Sequence, residues 1–138
     1  MASLIFDSAV DKEARGLIDY DTDSFKAMLV ASAYVPNQGT HIFRSDVTNE
    51  VSGTGYTAGG IACAVTVTKD TANHKVTIQF GAVSWASSTI TARGIVYYKS
   101  RGGASSADEL VAYADFGSDV SSAGATFAYS AATMTKQN

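Results

Sequence analysis

Hydrophobic and polar residues alternate along much of the chain, which is the pattern of half-buried β-strands. The clearest case is residues 75–80, KVTIQF, where Val76, Ile78 and Phe80 alternate with polar residues. Residues 24–34 carry apolar side chains at both odd and even positions instead. That pattern predicts a strand buried on much of both faces.

One segment near the start follows a helical pattern. Residues 8–15, SAVDKEAR, begin with Ser8, a residue type that caps helices, and Gly16 follows as a stop signal. A short helical turn is also predicted at residues 46–51. The other predicted strands cover residues 41–43, 61–69, 89–99, 109–116 and 125–131.

Gly94 lies in the middle of the predicted strand 89–99, where it indicates a bulge or a close backbone approach. About seven or eight strands separated by turns predict a mainly β protein. We expect a single-domain antiparallel β-sandwich spanning residues 1–138, with one short N-terminal helix and a jelly roll as a candidate topology. Residues 134–138 are expected to form a flexible tail.

The first seven residues allow two interpretations. Leu4, Ile5 and Phe6 form an apolar start that is too short to fold alone. Residues 1–7 are either an arm that adds to the sheet edge of a neighbouring subunit or a segment that packs on its own domain. The sequence leaves both open.

Composition and charge argue against some classes of function, and nucleic-acid binding is the first of these. Charged residues make up 17% of the 138 residues and the net charge is −3, without the basic footprint of a nucleic-acid-binding protein. No apolar stretch is long enough to span a membrane, and no signal peptide is visible. The sequence therefore predicts no nucleic-acid partner, no membrane partner and synthesis in a cytoplasm.

A glycine-rich stretch raises the question of phosphate binding. Residues 53–58, GTGYTA, formally match G-x-G-x-x-A. A dinucleotide fingerprint needs a helix after the glycines, whereas the β-pattern of residues 61–69 follows here. We therefore predict an irregular loop whose glycines adopt positive φ, with Tyr56 as an anchor or contact residue.

No other constellation predicts chemistry. Asp19, Asp21 and Asp23 alternate, but the EF-hand glycine and glutamate are missing, so a solvated turn is predicted in preference to a surface cation site. The two histidines lack ligand partners at zinc spacing. Cys63, the single cysteine, lies in an apolar run and is predicted to be buried. We predict no catalytic residue, no metal and no cofactor.

Four blocks of the sequence resemble a family of small structural proteins of tailed bacteriophages. They are YDTDSFKAMLVASAYVPNQGTH, RSDVTNEVSGTGYTAGG, SWASSTITARGIVYYK and YADFGSDVSS, and the resemblance spans residues 16–122. It implies a capsid decoration, or cement, protein: a small β-fold that binds the outer surface of the assembled head.

The resemblance also implies partners and a location. The expected partners are the major capsid protein and further copies of the chain, as a dimer or trimer. The expected location is the outer surface of the virion capsid, after synthesis in the host bacterium. The residues expected at partner contacts are Leu4, Ile5, Phe6, Asp46, Glu50, Tyr56, Tyr97 and Tyr98.

Two other functions remain open at this point. One is a different virion component, such as a tail, head–tail joining or fibre-base protein. The other is a carbohydrate-binding module on the virion surface, for which Trp85, the only tryptophan, is the candidate stacking residue.

Overall fold

A computed structural model describes residues 3–138, so residues 1 and 2 of the expected arm lie outside the described part. One helix, α1 (Asp7–Ala14), follows the first strand. The strands are β1 (Leu4–Ile5), β2 (Phe25–Val30), β3 (Ile61–Cys63), β4 (Val65–Asp70), β5 (Lys75–Phe80), β6 (Val83–Ser88), β7 (Thr91–Lys99), β8 (Leu110–Ser121), β9 (Ala125–Tyr129) and β10 (Ala132–Gln137).

The strands form three antiparallel sheets. The five-stranded sheet has the order β1-β8-β7-β2-β3, the three-stranded sheet β10-β5-β4, and β6 pairs with β9. The chain passes from the first sheet to the second at Ala64, whose carbonyl accepts a hydrogen bond from Gly81 N at 2.8 Å. The prediction of a mainly antiparallel β protein with one short N-terminal helix is confirmed.

The strand β2 is buried on both faces. Phe25, Ala27 and Leu29 point into a core that also contains residues of the three-stranded sheet and of the β6–β9 pair. Met28 and Val30 point to the other side, into a second core. Layers packed on both faces explain why apolar residues occupy both odd and even positions of β2.

Rings dominate the core between the sheets. Phe80 of β5 lies 4.6 Å from the ring centre of Tyr97 and meets Phe25 edge-on at 5.9 Å. Phe127 of β9 packs against Trp85 of β6 at 6.2 Å and against Phe116 of β8 at 6.1 Å. These contacts join all three sheets, in the layered arrangement expected of a sandwich; the jelly-roll topology stays a prediction.

The second core is covered by Phe6, just before α1, and by residues 31–47. We call α1 together with residues 31–47 the helix–loop layer; Ala9, the buried residue of α1, packs in the first core. Phe6, fully buried, and Tyr34 fill the second core from this side. Asp7 N donates to the Gln38 carbonyl at 3.0 Å, which fixes the helix start against the loop.

Several element boundaries differ from the sequence prediction. The strand predicted at 61–69 is divided into β3 and β4, and residues 41–43 contribute only an isolated bridge between Phe43 and Glu109. The helical turn lies at Arg44–Asp46 instead of 46–51. The strand β6 was not predicted.

The prediction of a flexible tail at residues 134–138 is wrong for most of these residues. Residues 134–138 were expected to fray, but most of them belong to β10, which pairs with β5 along its whole length. Thr133 and Thr135 face outwards while Met134 is buried, so the segment alternates like any half-buried strand. One buried methionine between polar residues is a weak sequence signal.

The prediction for Gly94 is confirmed. The pairing of β7 with β8 shifts register between Ala92 and Gly94. A Cβ atom on Gly94 would lie 2.4 Å from the Tyr113 ring. The missing side chain therefore makes room for this tyrosine on the neighbouring strand.

A comparison of two glycines tests how closely the backbone at Gly60 packs against β2. Gly60 (φ +79°) and Gly102 (φ +81°) share a backbone conformation, but a Cβ on Gly60 would lie 1.9 Å from the Ala27 carbonyl oxygen, whereas Gly102 has open space around it. We expect Gly102→Ala to cost about 1 kcal/mol from φ alone and Gly60→Ala about 3 kcal/mol or more.

Urea denaturation of both variants measures these costs directly. Equal losses of stability would show that the backbone near Gly60 relaxes freely, and would contradict the close approach.

Candidate functional site

The glycine-rich loop, residues 44–60, runs along the edge of β2. The strand β3 pairs only with residues 25–27 of β2, which leaves the rest of that edge without a strand partner. The loop supplies the missing partners: Val51 N donates to the Leu29 carbonyl at 3.1 Å, and Ala31 N donates to the Asn49 carbonyl at 2.9 Å. Part of the loop therefore acts as a substitute strand.

The Tyr56 hydroxyl completes this edge. It accepts a hydrogen bond from Leu29 N at 3.1 Å and donates one to Glu50 Oε2 at 2.6 Å. The same carboxylate oxygen accepts from Gly59 N at 2.7 Å. Burial, and then the hydrogen bond to Glu50, raise the pKa of Tyr56, so the phenol stays protonated and continues to donate.

The Tyr56 ring also connects the loop to the β6–β9 pair, because it packs on Trp85 with ring centres 5.8 Å apart. Two residues before Tyr56, Thr54 bridges to Thr89, the residue that follows β6. The loop thus contacts two sheets.

A second tyrosine extends the polar network to the other side of the five-stranded sheet. The Tyr98 hydroxyl donates to the Gly59 carbonyl. Burial raises the pKa of Tyr98 to about 12, although the nearby Arg44 charge opposes that shift. The Arg44 guanidinium lies 5.1 Å from the Tyr98 ring centre, within cation–π range.

Arg44 leads in turn to two buried carboxylates. Asp108 is 1% exposed; it accepts from Arg44 Nε at 2.9 Å and from Arg101 N at 2.9 Å. Glu109 is 2% exposed and forms a bidentate pair with Arg101 at 2.7 and 2.8 Å. Burial tends to raise the pKa of Glu109, but the hydrogen bond and charge of Arg101 outweigh it and hold that pKa below its usual value.

The buried acid pair was not identified from the sequence. Asp108 and Glu109 are adjacent, yet nothing in the sequence distinguishes them from the other acidic residues. Their partners Arg44 and Arg101 lie 64 and 8 residues away, respectively. The one sequence feature that could have indicated a buried charge is that the two acids are adjacent at the start of a predicted strand.

The hydrogen bonds of this polar network connect groups of the same chain to each other. Glu50 accepts from both Tyr56 and Gly59 N, the Gly59 carbonyl accepts from Tyr98, and the Tyr98 ring faces Arg44. The loop N–H at Gly59, which would face a phosphate in a nucleotide site, donates instead to a carboxylate of the same chain. Residues 61–63 form a strand after the glycines, so the helix dipole of a phosphate site is also missing there.

The structure separates the residues expected at partner contacts into two groups. Phe6, Tyr97 and Tyr98 are 0%, 2% and 1% exposed, so their assignment to a contact surface is corrected: they are core residues. Tyrosines 97 and 98 do point to opposite faces of β7, as the alternation predicts, but both faces are covered.

The remaining expected contact residues are half-buried and hold the chain's own structure. Leu4 and Ile5 form β1, which pairs with Tyr113 and Ala112 of the same chain. Of the two interpretations of the N-terminal segment, packing on its own domain is therefore the one observed.

Asp46 has a comparable internal role. Its Oδ2 accepts from Phe43 N at 3.0 Å and Ile42 N at 2.8 Å, and these bonds lower its pKa. Glu50 and Tyr56 are bonded to each other as described. None of these three side chains is free to act independently of the loop.

The acidic triplet forms the predicted turn. Asp23 Oδ2 accepts from Asp19 N and also pairs with Lys99 at 2.8 Å, while Asp19 Oδ1 accepts from Asp21 N. Within residues 3–138, no group of three histidine, cysteine or acidic side chains is placed to hold a metal ion. Cys63 is buried, as predicted.

Comparison with protein-family models, with curated proteins and with solved structures found no match to this chain. No helix within the described residues is long and apolar enough to cross a membrane.

The Tyr56 hydroxyl provides a direct test of the edge-covering role. Tyr56→Phe leaves Leu29 N–H without an acceptor and removes a donor from Glu50. We expect a loss of about 1–3 kcal/mol in the free energy of unfolding, together with faster hydrogen exchange at the Leu29 amide.

Tyr20→Phe is the control, because it removes the same hydroxyl from a tyrosine that is buried and stacks on Phe25 at 5.5 Å, but whose hydroxyl has no hydrogen-bond partner among residues 3–138. If both variants lose equal stability, or if Leu29 exchange is unchanged in Tyr56→Phe, the hydroxyl does not cover this edge.

Proposed function

We propose that this chain is a non-enzymatic structural protein of a tailed bacteriophage virion, which binds the outside of the assembled capsid as an oligomer and stabilises it. The observation that carries the proposal is the resemblance of four sequence blocks to a family of phage structural proteins. In the fold, these blocks supply β2, the glycine-rich loop, β6 with β7, and much of β8. The strands β2 and β7 and much of β8, three of the five strands of the largest sheet, thus fall within these blocks.

The polar network supports a structural role. Catalysis requires groups that are free to contact a substrate. Here the most deeply buried carboxylates, Asp108 and Glu109, are neutralised by Arg44 and Arg101, and Glu50 secures the glycine-rich loop. These groups stabilise the fold through their mutual contacts.

The helix–loop layer is the surface that we assign to the capsid. Val35 is 63% exposed, and Val10 on α1 and Ile42 are 47% and 37% exposed. Covering such exposed apolar side chains with a partner lowers the free energy of the complex. Repetition across a symmetric lattice lets a small patch of this kind bind in many copies.

Another virion component, such as a ring at the head–tail junction, is the second candidate. The same exposed residues would then face neighbouring copies in a ring. The carbohydrate-binding alternative loses its main residue, because Trp85 is 5% exposed and packs between Tyr56 and Phe127.

Copy number separates the first two candidates. We expect quantitative mass spectrometry of purified virions to find the chain in a simple ratio to the major capsid protein, which means hundreds of copies per particle. About a dozen copies would indicate a ring at one vertex and would contradict capsid decoration. Absence from virions would overturn both.

The capsid-facing surface has its own test, with purified heads that lack the protein. Val35→Asp puts a charge at the most exposed of these apolar side chains, and we expect it to weaken binding to heads by about tenfold or more. Its fold should be unaffected, since the side chain is mostly in solvent.

Val120→Asp is the matched control: Val120 is 42% exposed but lies near Phe116 and Phe127, away from the helix–loop layer. Normal binding by Val35→Asp would show that another surface meets the capsid. Loss with Val120→Asp alone would place the contact beside β9.

A further inference from the structure

An apolar cleft opens between the two sheets on the side where β1 and β10 form their edges. On the opposite side the chain itself joins the sheets, through the turn at Ala64 between β3 and β4. The cleft has a volume of about 610 Å³. This is within the range of about 300–1,000 Å³ that is typical of sites for small molecules.

The lining of the cleft is apolar and uncharged. Phe80, Tyr129 and Met134 form one part of the wall, and β8 supplies two alanines; no charged side chain belongs to the described lining. Two polar side chains at the cleft are already bonded: Gln38 Nε2 donates to the Ile5 carbonyl, and Ser3 Oγ accepts from Asp115 N. Such a wall favours an uncharged, largely apolar ligand.

One lining side chain has an unmet hydrogen-bonding capacity. Tyr97 is 2% exposed, and its hydroxyl has no hydrogen-bond partner. A buried hydroxyl without a partner costs about 1–3 kcal/mol. The adjacent Tyr98 shows the usual solution, because its hydroxyl donates to the Gly59 carbonyl.

We propose that this cleft binds a small, uncharged and mainly apolar molecule with one hydrogen-bonding group, which pairs with the Tyr97 hydroxyl. The phenol both donates and accepts, so either a carbonyl or an N–H group on the ligand satisfies it. The apolar body of the ligand packs against Phe80 and Ala112. The proposal does not rest on the capsid-binding proposal, although Gln38 of the helix–loop layer also lines the cleft.

Entry requires one side chain to move, because solvent does not reach the Tyr97 hydroxyl. Met134 on the edge strand β10 lines the cleft and is 8% exposed. Its unbranched side chain has three rotatable bonds and adapts to irregular space at low cost. We assign the movement that admits the ligand to this side chain, because it is the flexible residue of the described lining on the edge strand.

N-phenyl-1-naphthylamine is a suitable probe, since it is uncharged, has two apolar ring systems and carries one N–H group. We expect its fluorescence to rise saturably with a stoichiometry of one per chain. Tyr97→Phe should weaken binding by about 2- to 10-fold, the effect of one neutral hydrogen bond. Without the probe, Tyr97→Phe should melt at the same temperature as the parent or higher.

A second variant blocks the cleft sterically. Ala132→Leu adds three carbons to a half-buried lining position, whereas Ala62→Leu makes the same change at an exposed position of β3, outside the lining. We expect binding to be lost with Ala132→Leu and unchanged with Ala62→Leu.

Three results would overturn the proposal: no saturable binding by the parent chain, equal affinity in the parent and the Tyr97→Phe variant, or a lower melting temperature of Tyr97→Phe. The last would mean that the hydroxyl already has a partner, such as a buried water.

Discussion

The fold depends on covering β2, a strand whose two faces and two edges are all covered by other parts of the chain. Its two faces enter two different cores, and β7 pairs along one edge. The remaining edge is only half covered by β3. Backbone groups in a buried position must find hydrogen-bond partners, so the rest of this edge has to be closed by something other than a regular strand.

The glycine-rich loop meets that requirement through close contact and polar chemistry. At Gly60 the backbone comes so near Ala27 that no side chain fits, and at Tyr56 a phenol supplies the acceptor that a neighbouring strand would otherwise provide. The tyrosine needs an acceptor of its own, which Glu50 provides. A glycine-rich sequence that superficially resembles a phosphate site thus has a structural purpose, set by the strand beside it.

This dependence explains what the sequence could predict. Alternation along residues 75–80 and the doubly apolar run at 24–34 report local burial, so the strands and the two-sided burial of β2 were predictable. The role of Gly94 was also predictable, because a glycine inside a strand usually marks a bulge or a close backbone approach. The partners of Tyr56, by contrast, are Leu29 and Glu50, one of them 27 residues away. Periodicity carries no information about such a contact.

The aromatic residues show the same limit. Tyrosine-rich sequences are typical of contact surfaces, yet Tyr97 and Tyr98 are among the most deeply buried side chains of this chain. The residue type is compatible with both environments, because a phenol is a large apolar ring with one polar group. Only the sheet order, which places layers on both sides of β7, decides between them.

The two buried tyrosines differ in a way that bears on function. Tyr98 has a backbone acceptor and belongs to the network that links the glycine-rich loop with Arg44 and the buried acids. Tyr97 lies on the opposite face and lines the cleft between the five-stranded and three-stranded sheets, and its hydroxyl has no hydrogen-bond partner. Asp108 and Glu109 are paired with arginines, whereas the Tyr97 phenol beside the cleft has no partner, so an added molecule gains there a hydrogen bond that the described chain does not supply.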